Sequence, residues 1–141
     1  MAETALPTKL TLEVVTPEGL LFRDEVDEIQ APGNQGYFGV LPGHTPFIST
    51  LGLGEITYRR GDERHNLTCF WGFCEVLPER VSILAEVGER GEDIDIERAE
   101  AARQNAEARM KAIKDEAGFD DARQAYVRAV TRLAVARKHR T

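Results

Sequence analysis

Cysteine, tryptophan and long apolar runs are scarce in this chain, and each scarcity excludes something. Two cysteines in 141 residues, Cys69 and Cys74, cannot build a disulfide framework, so a reducing compartment is expected. The longest apolar stretches, such as Cys69–Phe73, fall far short of the ~20 residues that a membrane-crossing helix needs. The first ten residues, MAETALPTKL, have neither the basic region nor the apolar core of a secretory signal. A cytoplasmic location is therefore expected. Metal motifs are missing too: His44, His65, Cys69 and Cys74 form no Cys-x-x-Cys pair and no His-x-x-x-His on a helix. Neither cysteine has a local base, and no Ser-His-Asp set is discernible. A metal or thiol hydrolase using His44, Cys69 and Cys74 thus has little support, and the chain reads as non-catalytic.

Charge is plentiful but unevenly spread. Residues 1–93 hold 7 Lys+Arg against 16 Asp+Glu, whereas residues 94–141 hold 11 against 8. From Asp121 onward there are 6 basic residues against 1 acidic. An acidic front and a basic tail imply different partner surfaces.

The hydrophobic pattern changes at the same place. From Lys9, Leu10, Leu12 and Val14 alternate with Thr11 and Glu13, and the run ends at a Pro-Glu-Gly turn, which is the pattern of a half-buried strand. Similar runs follow at Glu25–Ala31, Phe47–Leu51, Glu55–Arg60, Asn66–Phe70, Phe73–Leu77 and Val81–Val87, separated by turn signals. No crossover helix lies between them, so antiparallel pairing is expected throughout. After Asp93 the period becomes helical. Ala99, Ala102, Ala106, Met110 and Ile113 share one face, as do Ala122, Tyr126, Ala129, Leu133 and Ala136. In KDEAGFDD, Gly118 reads as the helix stop and Asp120 or Asp121 as the next N-cap. The expected fold is α+β, an antiparallel β-sandwich over residues 1–90 followed by an antiparallel α-helical hairpin over 91–141. Alanine dominates the hairpin seam, and a buried alanine methyl contributes only about 0.5–1 kcal/mol. Two helices held this weakly can part without melting.

Three stretches stand out as candidate sites. The glycine-rich Gly33–His44, GNQGYFGVLPGH, lacks the Gly-Lys-Ser/Thr of a phosphate loop and reads as a string of tight turns. Tyr37 and Phe38, exposed on a turn, would suit a protein partner. In the tail, Arg128 and Arg132 lie one helical turn apart, and Arg123, Arg137, Lys138 and Arg140 extend a basic strip with little acid nearby in sequence. An acidic protein groove, an anionic membrane or nucleic acid could receive it, nucleic acid least well because Tyr126 is the lone interleaved aromatic. The third stretch is GEDIDIERAEAARQ, Gly91–Gln104, where Asp95 and Arg98 sit three apart at a helix start. They read either as a plain N-cap or as a carboxylate and a guanidinium placed to hold something.

Taken together, LEVVTPEG, GYFGVLPGHTP, WGFCEVLPERVSILAE and ERGEDIDIERA resemble, in order and spacing, the ε subunit of F-type ATP synthase. The resemblance covers nearly the whole chain, and GVLPGH followed by EDIDxxRA is its most specific part. It implies a non-catalytic subunit of the rotor's central stalk, peripheral to the cytoplasmic face of a bacterial membrane, with the sandwich against the γ subunit and the c-ring. The loop with Tyr37 and His44 would face these partners, and the membrane would be met only through the complex. It implies a hairpin that brakes ATP hydrolysis when extended, with Arg123, Arg128, Arg132, Arg137 and Lys138 meeting acidic segments of the α/β hexamer. No cofactor is required, but regulatory ATP would be held on the folded hairpin by Ile94, Asp95, Arg98 and Ala99, with Glu89, Arg128 and Arg132. A basic residue found in some relatives' first helix is Asn105 here, and losing one charge-assisted phosphate contact weakens binding by about 1.5–3 kcal/mol. The alternative is a static rotor adaptor whose hairpin never moves.

Overall fold

The computed structural model describes residues 6–140. Seven strands come first: β1 Leu10–Thr16, β2 Gly19–Val26, β3 Glu28–Gly33, β4 Gly36–Val40, β5 Phe47–Arg60, β6 Glu63–Val76 and β7 Arg80–Arg90. They form one hydrogen-bonded sheet in the order β2-β1-β7-β6-β5-β3-β4, folded over so that β2 also meets β5. Across that fold the Phe22 and Tyr58 rings lie 4.5 Å apart, and Arg60 pairs with Asp24. Leu10, Leu12, Val14, Ile29, Ile56, Cys69, Val76, Val81 and Ile83 fill the space between the layers. Most come from the inward-facing positions of an alternating strand, which is why the pattern is so plain in the sequence, whereas Cys69 lies in a run of four buried residues, 67–70, covered on both faces.

Several expectations need correcting. The sheet is not antiparallel throughout, because β1 pairs with β7 in parallel, from Thr11 opposite Arg80 to Val15 opposite Leu84. The intervening strands supply the crossover that a helix would otherwise provide. Phe47–Leu51 and Glu55–Arg60 are one strand, as are Asn66–Phe70 and Phe73–Val76, and the two strands keep one register throughout, with only Gly52 and Trp71 left out of the pairing. There Trp71 takes φ 58° and Gly72 φ 151°, which puts a bend in β6. Glu25–Ala31 is broken at Asp27 into the end of β2 and the start of β3. The glycine-rich stretch is not only turns, since Gly36–Val40 is β4 and pairs along β3.

A single 3-10 turn, Gly91–Asp93, leads into α1, Ile96–Ala112, and then α2, Glu116–Arg140. Gly118 does not stop a helix. It lies in the first turn of α2, where its N–H donates to the Asp115 carboxylate at 2.8 Å, so Asp115 rather than Asp120 or Asp121 caps the helix. Within the seam, Ala99, Ala106, Ala122, Ala129, Leu133 and Ala136 are buried as expected, but Ala102 is exposed. Helix α2 lies against β5, β6 and the 3-10 turn, and α1 packs on α2. The hairpin is docked.

Candidate functional site

What holds the hairpin down is mostly polar. Glu55 on β5, Thr68 on β6 and Glu89 on β7 are direct cross-strand partners, so they form one row across three strands. Helix α2 clamps both ends of that row. Arg132 Nε donates to Glu89 Oε1 at 2.8 Å, and Lys138 Nζ donates to Glu55 Oε1. Six residues of helix rise about 9 Å, and two strand spacings span about 9.5 Å, so the two cations match the two carboxylates. Thr68 Oγ1 also donates to Glu89 Oε1, at 3.1 Å. The Arg132 guanidinium lies 4.9 Å from the Phe70 ring centre, and that of Arg128 lies 5.4 Å from Trp71. Such contacts contribute about 0.5–2 kcal/mol each. Arg137 meets Glu100 of α1 at 3.4 Å, and Arg123 meets Asp120 at 3.0 Å. The basic strip was expected to lack acidic neighbours. Instead Arg128, Arg132, Arg137 and Lys138 are engaged here by the chain's own carboxylates and rings, partners that sit far away in sequence, and Arg123 alone pairs within its own helix.

Apolar contact adds a small patch, with Ile94, Ala99, Leu133, Val135 and Ala136 clustered and Ile96 against them. Gly91 lets α2 come this close. A Cβ at Gly91 would lie 2.6 Å from His139 Cβ and 3.0 Å from the Val135 carbonyl oxygen.

Beside the patch opens a cleft of about 280 Å³ lined by Asp93, Ile94, Asp95, Arg98, Ala99, Ala102 and Arg132. Five of the residues singled out in sequence therefore share one cavity. Glu89 adjoins it through Arg132, while Arg128 is turned away onto Trp71. Asp95 is a true N-cap, its Oδ1 accepting from the Arg98 N–H at 3.1 Å. That bond uses one carboxylate oxygen and leaves the Arg98 guanidinium exposed at the rim. Ile94 and Ala99 give the cleft apolar walls, and Arg98 and Arg132 give it forked cationic donors. Apolar walls and guanidinium groups lining one cleft suit a ligand with a flat ring and phosphates.

The glycine-rich segment is only partly as expected. Tyr37 is exposed, but its hydroxyl accepts from the Glu55 N–H at 3.0 Å. Phe38 is not an exposed anchor, because it packs on the core and meets Phe47 edge-on at 5.2 Å. His44 is half-buried, 6.3 Å from Phe47, with Nδ1 2.6 Å from the Thr45 carbonyl oxygen. Burial pushes both the Cys69 and Cys74 thiols up to about 12, so neither provides a thiolate near neutral pH. Glu55, Phe70, Trp71 and Gly91 were missed in sequence. Glu55, a lone acid on an outward position of an otherwise weakly charged strand segment, was the one available signal.

Comparison with known proteins fits both halves of this architecture. Residues 9–91 match the family model for the ATP synthase delta/epsilon chain β-sandwich domain, and residues 92–137 match that for its long α-helix domain. The ATP synthase epsilon chain of Syntrophobacter fumaroxidans is 47% identical over 130 residues, covering 92% of this chain and 97% of that one. That of Solibacter usitatus is 45% identical over 135 residues, covering 94% and 99%. In fold, the chain is similar to one in the Euglena gracilis mitochondrial ATP synthase structure of OSCP, F1 and c-ring, with TM-score 0.80 and 23% identity over 95% of this chain and 85% of that one. With both modules accounted for in order and nearly end to end, the chain belongs to the ATP synthase delta/epsilon chain family.

Proposed function

We propose that this is a non-catalytic subunit of the central stalk whose tail restrains ATP hydrolysis when it leaves the sandwich. The sandwich would bind γ and the c-ring, and the tail would reach the α/β hexamer. No helix among the described residues is long and apolar enough to cross a membrane, and the membrane would be met only through the complex. One observation carries the reading: the basic side chains of α2 are occupied by Glu55, Glu89, Glu100, Phe70 and Trp71 in the docked state. Docking therefore engages the groups that an acidic partner would take, and undocking releases them. Exposed or half-exposed ion pairs contribute about 0–1 kcal/mol each, so a neighbour offering several carboxylates can compete. Removing residues 94–141 should raise ATP hydrolysis by the reassembled complex severalfold while leaving assembly intact. Unchanged hydrolysis would favour the static adaptor.

ATP fits the same scheme as a ligand of the docked state. Arg98 on α1 and Arg132 on α2 line one cleft, so phosphates between them would tie the helices together and favour docking by differential affinity. Titration of the free chain with ATP, followed by emission of its single tryptophan, Trp71, should give saturable binding. Arg98→Ala should weaken it by about tenfold or more, the loss of one charge-assisted contact. Equal affinity in the variant would remove ATP from this cleft.

A further inference from the structure

A larger cavity lies elsewhere, between the tip of the β5–β6 hairpin and the C-terminal end of α2. It measures about 640 Å³ and is lined by Arg60, Arg64 and Arg90 from the sandwich and by Lys138 and His139 from the tail, among others. We propose that it is a second anion site, for a small inorganic oligophosphate, and that its occupant pins the end of the tail to the sandwich. The site is distinct from the nucleotide cleft and shares no lining residue with it.

Counting donors favours an anion. Arg23, Arg60, Arg64, Arg90 and Lys138 line the cavity against two carboxylates, Asp24 and Glu92. Asp24 holds Arg60, and Glu92 stands 3.7 Å from both Arg90 and His139. Glu13 and Glu55, outside the lining, hold Arg23 and Lys138. Arg64 makes no ion pair among the described residues. Each guanidinium carries five N–H groups. Among the described residues, the Arg60 guanidinium shows no hydrogen bond apart from the Asp24 pair, and that of Arg90 gives one to the Leu21 carbonyl oxygen at 2.6 Å. Among the described residues, most of the guanidinium N–H groups of Arg60, Arg64 and Arg90 are therefore uncommitted around this cavity.

The donors are also steadied. The Arg60 guanidinium lies 5.7 Å from the Tyr58 ring centre and that of Arg90 lies 5.9 Å from Phe22, while those two rings touch each other. His65 stacks on Tyr58 at 5.2 Å. Guanidinium groups steadied over rings lose less rotamer freedom when a ligand arrives. Their planar forks match phosphate oxygens, and a volume of about 640 Å³ leaves room for several linked phosphates. Because Lys138 and His139 belong to the tail, the bound anion would favour the docked state as well.

Calorimetric titration of the full chain with inorganic pyrophosphate at low salt tests this. Saturable binding is expected, weaker for orthophosphate, tenfold or more weaker in Arg64→Ala and unaltered in Arg98→Ala. Arg64 is exposed, and circular dichroism should show that the variant folds normally. Pyrophosphate should also return the Trp71 emission of a partly undocked variant toward the wild-type value. ATP added to Arg98→Ala distinguishes the phosphate source, since displacement of pyrophosphate would mean that nucleotide phosphates also enter here. Absence of saturable binding, or loss in Arg98→Ala but not Arg64→Ala, overturns the proposal. Either result leaves the nucleotide reading to its own test.

Discussion

Gly72→Ala should lower the stability of the sandwich by about 3–5 kcal/mol, a combination of backbone strain and overpacking. Gly72 sits at the bend of β6 with φ 151°, a conformation that side-chain-bearing residues rarely adopt. An added Cβ would also be driven into the Leu84 carbonyl oxygen and would lie 2.9 Å from Ala85 Cα. Those atoms belong to β7, which is paired on both sides, with β6 and with β1, so neither strand can step aside. A fall in melting temperature of roughly 15–25 °C is expected for a module of this size. Calorimetry on the full chain checks it. A variant within 3 °C of wild type would show that the bend relaxes in a way this backbone does not suggest.

Gly91→Ala should do something quite different. Gly91 lies outside the left-handed region, so alanine fits its backbone, and the whole cost falls on the contact with α2. The atoms it would meet, His139 Cβ and the Val135 carbonyl oxygen, are close to the helix axis and cannot swing away as a side-chain tip could. Overpacking of this kind costs about 1–3 kcal/mol, a factor of roughly 5–150 in the docking equilibrium. Trp71 should lose its Arg128 neighbour and change emission, and amides of α1 and α2 should exchange faster. The sandwich itself should melt within about 0.5 kcal/mol of wild type, as distant and independent sites do. If hairpin and sandwich weakened together, the tail would be an integral part of the fold and could not act as a switch.

These two glycines mark the limits of what could be read in advance. The helical hairpin was legible because its alanines repeat at helical spacing, and the strands because Leu10, Leu12 and Val14 alternate with polar residues. The parallel β1–β7 pair was not, since nothing local to Leu10–Thr16 records a partner that follows some seventy residues later. Strand β4 was hidden because Gly36 and Gly39 look like turns until β3 supplies their hydrogen-bond partners. Gly118 looked like a stop because the capping carboxylate, Asp115, lies on its N-terminal side. At the cleft, Asp95 and Arg98 were visible through their spacing. The pairing of Arg132 with Glu89 and of Lys138 with Glu55 depends on how α2 crosses the sheet, a tertiary fact without a sequence signature.

The parallel pair between the first and last strands also bears on how the chain is born. Strand β1 leaves the ribosome early, yet its inner neighbour β7 ends at Arg90. Until about that residue has cleared the exit tunnel, β1 and β2 can form no more than a marginal two-stranded ribbon. Closure of the sheet must wait for a distant contact, and distant contacts form slowly. The tail, which follows β7 and is built from local turns of helix, needs no such delay and meets a sandwich that has only just closed.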